Sequence, residues 1–191
     1  MIKIPQPSIA LNSHDVPGTK LDMWEKWNVP ASASADWIVS FSSILATGTA
    51  GGVKCLVINC HGYYDKGTKK SGKPKLNETG GFGLSLGQGI KLGNANLFSQ
   101  LRGHVKCIVI IACGTAYVTN KGMDGDGELL CSKIAKASGA YVVAPRRVQS
   151  APNGIPKNHI DNFEGLVVRF NPSGGLDDSR YLGRKLIDDI F

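Results

Sequence analysis

The chain has 191 residues, 42% of them hydrophobic, and carries a formal net charge of +7. That is enough chain to bury one sizeable core and short of what two ordinary domains need. Its apolar runs fall far below the roughly 20 residues that cross a bilayer, and its five cysteines lack Cys-x-x-Cys spacing, which disfavours a membrane span, a disulfide framework and a zinc finger.

Residues 1–30 hold four prolines and little periodicity. They are expected to form an extended arm packed on the domain, with Trp24 and Trp27 as anchors. Residues 1–7 lack the apolar core of a secretory signal, which points to the cytoplasm or to export without a cleaved signal peptide. The remaining residues, 31–191, read as a single domain. A helix is expected over 34–45: Ser34 can cap it, and Trp37, Ile38, Phe41, Ile44 and Leu45 recur at helical spacing. The first central strand is the run Cys55-Leu56-Val57-Ile58-Asn59-Cys60, ended by His61-Gly62.

A lysine-rich stretch follows, with Lys66, Lys69, Lys70, Lys73 and Lys75 set among Gly67, Gly72 and Pro74. It reads as an exposed loop. No aromatic residues interleave with the lysines, so a nucleic-acid partner is not expected. Phe82, Leu84 and Leu86 alternate along a glycine-rich segment and suggest a strand or hairpin arm near the first strand's end. Asn94 or Asn96 can cap a short helix through Leu97, Phe98 and Leu101, stopped by Gly103. The second central strand is Cys107-Ile108-Val109-Ile110-Ile111-Ala112, ended by Cys113-Gly114.

Residues 122–128 form an acidic, glycine-rich turn whose Asp126 can cap the next helix, with Leu129, Leu130, Ile134 and Ala135 on its inner face. Gly139 ends that helix, and 140–144 is a third buried strand. A fourth is expected at 166–170. A terminal amphipathic helix is expected over 176–191, with Tyr181, Leu182, Leu186 and Ile190 inward. Strands alternating with helices imply an α/β fold with a mainly parallel central sheet covered on both faces.

Function in such sheets gathers outside the carboxyl ends of the strands. The first strand ends in a histidine and the second in a cysteine. A thiolate is a nucleophile, and a neighbouring imidazole can generate it and then protonate a departing amine. Backbone N–H groups at a glycine turn can hold the oxyanion that forms between those steps. The other cysteines, Cys55, Cys60, Cys107 and Cys131, read as core, and alternation turns Cys60 away from His61. His14, His104 and His159 have no partner motif.

An apolar strand ending in His-Gly (Leu56 to Gly62), followed by an apolar strand ending in Ala-Cys-Gly (Ile108 to Gly114), resembles the caspase-like cysteine peptidases. That superfamily includes caspases, gingipains, legumains and the self-cleaving domains of bacterial toxins. His61 and Cys113 stand 52 positions apart, close to the spacing of about 50 known in caspases. The likeness runs from about Val53 to Arg169, and the bacterial-type branches look closer, since the glutamine that precedes the cysteine in caspases is missing.

The resemblance implies a caspase-like three-layer sandwich and a cysteine endopeptidase acting on a protein or peptide substrate, in the manner of a toxin or effector protease. Cys113 would be the nucleophile, His61 the general acid and base, and the Gly62 and Cys113 amides the oxyanion hole. The segment 145–150 would line the substrate pocket, with Arg146, Arg147 and Gln149 contacting substrate and an arginine there selecting an acidic residue. No cofactor and no metal is expected. The turn at 121–128 lies where caspases are processed. The competing reading is a catalytically silent module of the same fold that acts by binding.

Overall fold

The computed structural model describes residues 1–63, 80–151, 153–181 and 183–191. The lysine-rich stretch and Leu182 lie outside the described residues. In chain order the elements are β1 (Ile2–Lys3), β2 (Ser8–Ser13), β3 (Glu25–Val29), α1 (Ala35–Thr47), β4 (Val53–Asn59), β5 (His61–Gly62), β6 (Leu84–Ser85), a 3-10 helix (Leu92–Leu101), β7 (Val105–Ile111), α2 (Gly127–Ser138), β8 (Tyr141–Pro145), β9 (His159–Ile160), β10 (Val167–Phe170), β11 (Leu176–Arg180) and α3 (Gly183–Asp188).

Seven strands form one sheet in the order β11-β10-β8-β7-β4-β2-β3. The five from β8 to β3 run parallel, and β10 and β11 are antiparallel to their neighbours. This is the mainly parallel α/β sheet that the sequence implies. Leu56 pairs with Ile108 and Ile58 with Ile110 on one face, while Cys55 pairs with Cys107 and Val57 with Val109 on the other. Both faces of β4 and β7 are therefore apolar, as buried parallel strands require.

The first face is covered by α1, the 3-10 helix and α2. Ile38, Val39, Phe98, Leu130 and Ile134 pack on Leu56, Ile58, Ile108 and Ile110 in one continuous cluster. Burying each such side chain stabilises the fold by about 1.5–3 kcal/mol. The second face is covered by α3, the β1–β9 ribbon and Leu21, Met23 and Phe163 from irregular segments.

Local signals account for the helices. The Ser34 side chain accepts the Trp37 N–H at 3.1 Å and starts α1. Asp126 accepts the Leu129 N–H at 2.9 Å, and Gly139 closes α2 in a left-handed conformation. The helix expected at 94–101 begins earlier, at Leu92, because the Asn94 side chain folds back to accept the Lys91 N–H at 2.7 Å.

Three expectations change. Residues 1–30 are not merely an arm on the domain: β2 and β3 extend the central sheet, and β2 lies fully buried between β3 and β4. On α1, Trp37 and Ile44 face outward, and Trp37 and Phe41 instead meet Trp27 of β3 in an aromatic group. The expected terminal helix over 176–191 is mostly absent. Asn171 accepts the Ser173 and Gly175 N–H groups and turns the chain into strand β11, so the helix shrinks to α3. Leu186 is buried there as expected, but Tyr181 is 74% exposed.

Candidate functional site

Backbone pairing brings His61 and Cys113 to one place. The β4–β7 ladder continues past β4, since the Cys60 N–H donates to the Ile111 carbonyl at 3.2 Å. His61 and Cys113 therefore leave neighbouring strands at the same end of the sheet. Gly62 then passes so close to the Cys113 carbonyl that a Cβ there would overlap it. Only glycine allows that approach.

The expected arm at 80–90 clamps this region. β6 pairs antiparallel with β5, matching His61 with Ser85 and Gly62 with Leu84. The Tyr63 N–H donates to the Gly83 carbonyl at 2.8 Å, and the Gly81 N–H donates to the Gly114 carbonyl at 3.0 Å. One glycine-rich segment thus ties the histidine turn to the cysteine turn. Gly81 has φ of +83° and sits where a Cβ would strike the Tyr117 and Gly125 carbonyls.

Ladder bonds alternate along an antiparallel strand, so the bond from Tyr63 turns the Gly62 N–H away from β6. Among the described residues the Cys113 N–H has no hydrogen-bond acceptor. Two donors named in the sequence analysis are thus close together, beside the thiol.

The His61 Nε2 lies 3.4 Å from the Asp15 carbonyl oxygen, longer than an ordinary N–H···O bond. A carbonyl can only accept, so this contact suits a proton on Nε2 and leaves Nδ1 as the nitrogen without one. The Asp15 carboxylate is held below its ordinary pKa, first by the Ser13 hydroxyl and to a lesser extent by His14 and His61.

Cys113 is half-buried, while Cys55, Cys60, Cys107 and Cys131 are buried. Burial pushes the Cys60 and Cys131 thiols far up, and contact with Cys55 together with burial does the same for Cys107. These thiols stay neutral at ordinary pH and are poor nucleophiles. The Cys113 Sγ instead meets the backbone of Gln149, accepting its N–H at 3.4 Å and lying 3.6 Å from its carbonyl.

A cavity of about 140 Å³ opens between these strand ends. Asn59, His61, Ile111 and Cys113 form its floor, and segments around 16–21 and 149–161 form its walls. Gln149 lines it, but Arg146 and Arg147 do not. Arg146 is ion-paired with Glu128 in the first turn of α2, so its charge is already met. Arg147 is exposed and lays its stem over Gly165. Neither arginine is placed as a free cation at this cavity. The Gln149 side chain is bound to the Glu164 backbone, donating to its carbonyl and accepting its N–H, both at 3.0 Å.

Sequence reasoning missed Asn12, Asn59 and Asp161. The Asn12 side chain donates to the Leu21 carbonyl at 2.9 Å and accepts the Leu21 N–H at 2.8 Å, which fixes its orientation. Its oxygen also accepts from the Asn59 Nδ2 at 2.9 Å. The available signal was an asparagine at or next to the carboxyl end of each of two strands, directly after an apolar run.

Searches against protein-family models, curated proteins and solved structures return no match for this chain.

Proposed function

We propose that this protein is a cysteine endopeptidase working through a His61/Cys113 dyad, as its resemblance to the caspase-like peptidases implies. The observation that carries this reading is that one cavity is lined by both side chains at the carboxyl ends of adjacent parallel strands. His61 Nδ1 takes the Cys113 proton, and the thiolate attacks the substrate carbonyl carbon. The resulting oxyanion is met by the Cys113 and Gly62 N–H groups. His61 then passes its proton to the leaving amine, and water, deprotonated by His61, cleaves the acyl-enzyme.

The test is incubation with a peptide library followed by mass spectrometry. Wild type should release fragments, whereas Cys113→Ala and His61→Ala should release none. Iodoacetamide should label Cys113 first, and equal labelling of all five cysteines would argue against an activated thiol.

One observation favours the silent binding module instead. Among the described residues the sulfur's polar contacts are with Gln149 rather than the imidazole. A folded wild-type chain that binds a peptide and releases no fragment would establish that second reading.

A further inference from the structure

The cavity beside Cys113 is selective in its chemistry. At about 140 Å³ it is close in size to an engineered cavity of about 150 Å³ that admits one benzene. It suits one extended side chain. Much of its lining is apolar, with Leu21, Ile111, Ala151 and Ile155. Its polar lining includes Thr19, Ser150 and Gln149 beside Asn59 and Asp161, and the last two present acceptors that no donor meets among the described residues.

Asp161 is half-buried in the wall, and among the described residues its carboxylate has no ion pair and no hydrogen bond. Asn59 is almost fully buried in the floor. The fixed orientation of Asn12 compels Asn59 to present its Nδ2 there, which leaves the Asn59 oxygen without a donor among the described residues. A cavity with an unmatched carboxylate, a spare amide oxygen and apolar walls fits an aliphatic stem carrying a cationic tip.

We infer that this cavity binds a lysine or arginine side chain of the substrate, with Asp161 as its counter-ion and Asn59 as a second acceptor. The inference rests on the peptidase reading and names the substrate class of that site. It also reverses the acidic preference expected from Arg146 or Arg147, neither of which lines the cavity. Recognition is local, since a chain of net charge +7 does not attract basic peptides from a distance.

The experiment uses the full chain and peptides differing only at the residue before the cleaved bond. Lysine and arginine peptides should be cut with kcat/KM about tenfold or more above the leucine peptide, with the aspartate peptide slowest. Asp161→Asn should remove that preference by lowering kcat/KM for the lysine and arginine peptides about tenfold or more, while Asp161→Glu should retain it. A second readout needs no cleavage. Agmatine should slow iodoacetamide labelling of Cys113 in wild type and not in Asp161→Asn, whose labelling rate without agmatine should match wild type if it is folded.

Fastest cleavage of the leucine or aspartate peptide would overturn the basic pocket and leave the peptidase standing. Agmatine protection that depends on Asp161, with no peptide cleaved, would keep the cation site and overturn the peptidase. Neither cleavage nor protection would overturn both.

Discussion

The two faces of the central sheet are built by different means. One carries α1, the 3-10 helix and α2, whose apolar stripes mesh with Leu56, Ile58, Ile108 and Ile110 in an unbroken cluster. The other carries the six-residue α3, a two-stranded ribbon and irregular segments that supply Leu21, Met23, Ile155 and Phe163. The cavity belongs to this second face, because Asn59 and Ile111 continue the alternation of Val57 and Val109. Regular helices fill space efficiently and leave little room for a ligand. Irregular cover gives up that packing and exposes polar ends of strands. The comparison teaches that stability and chemistry are separable here by face, and substitutions can test this.

The largest expected effect is at the thiol. Cys113→Ala should reduce peptide cleavage to background while leaving the thermal unfolding midpoint within a few degrees of wild type. A large drop in that midpoint would mean the cysteine is a structural residue. Next is Gly62→Ala, which places a methyl against the Cys113 carbonyl. It should lower kcat/KM by about 100-fold, since small misplacements of reacting groups are costly, with a stability loss of about 1–3 kcal/mol in urea. Wild-type activity in this variant would show that the two turns need not approach closely.

On the opposite face, Ile134→Ala should do the converse. It should cost about 2–5 kcal/mol of stability by urea titration and leave kcat/KM of the folded fraction within about twofold. A selective loss of activity would break the division between faces.

The smallest effect concerns pH. Cys60, Cys107 and Cys131 have folded pKa values raised above the ordinary 9.0. The folded state therefore holds their protons longer than the unfolded state does. Their contribution is complete below pH 9 and declines as pH rises above it. Each thiol should steepen that decline by about 1.4 kcal/mol per pH unit. Between pH 8 and pH 10 the stability of wild type, by urea titration, should fall by about 1.4 kcal/mol more than that of Cys131→Ala.

Much of the helix-covered face was legible in the sequence. β4 and β7 are strong apolar runs, and α2 carries a cap, a stripe and a terminal glycine that agree with one another. The juxtaposition of His61 with Cys113 follows once those strands are adjacent. The rest was hidden for identifiable reasons. β2 is six residues long, flanked by prolines and polar at both ends, so its burial comes from tertiary position rather than pattern. β11 reads Leu-Asp-Asp-Ser-Arg and owes its conformation to pairing with β10, while Tyr181, Leu186 and Ile190 imitate helical spacing. In the cavity, Asn59 comes from β4 and Asp161 from the segment after β9, about 100 positions apart. No local pattern connects residues so distant.

The place of β2 between β3 and β4 governs how the chain tolerates trimming. A fragment beginning at residue 31 would lose the strand that shields one side of β4. The exposed backbone of Val-Lys-Cys-Leu-Val-Ile-Asn would then offer free N–H and C=O groups on a long apolar ribbon. Such a fragment would self-associate into aggregates instead of folding as a smaller soluble unit.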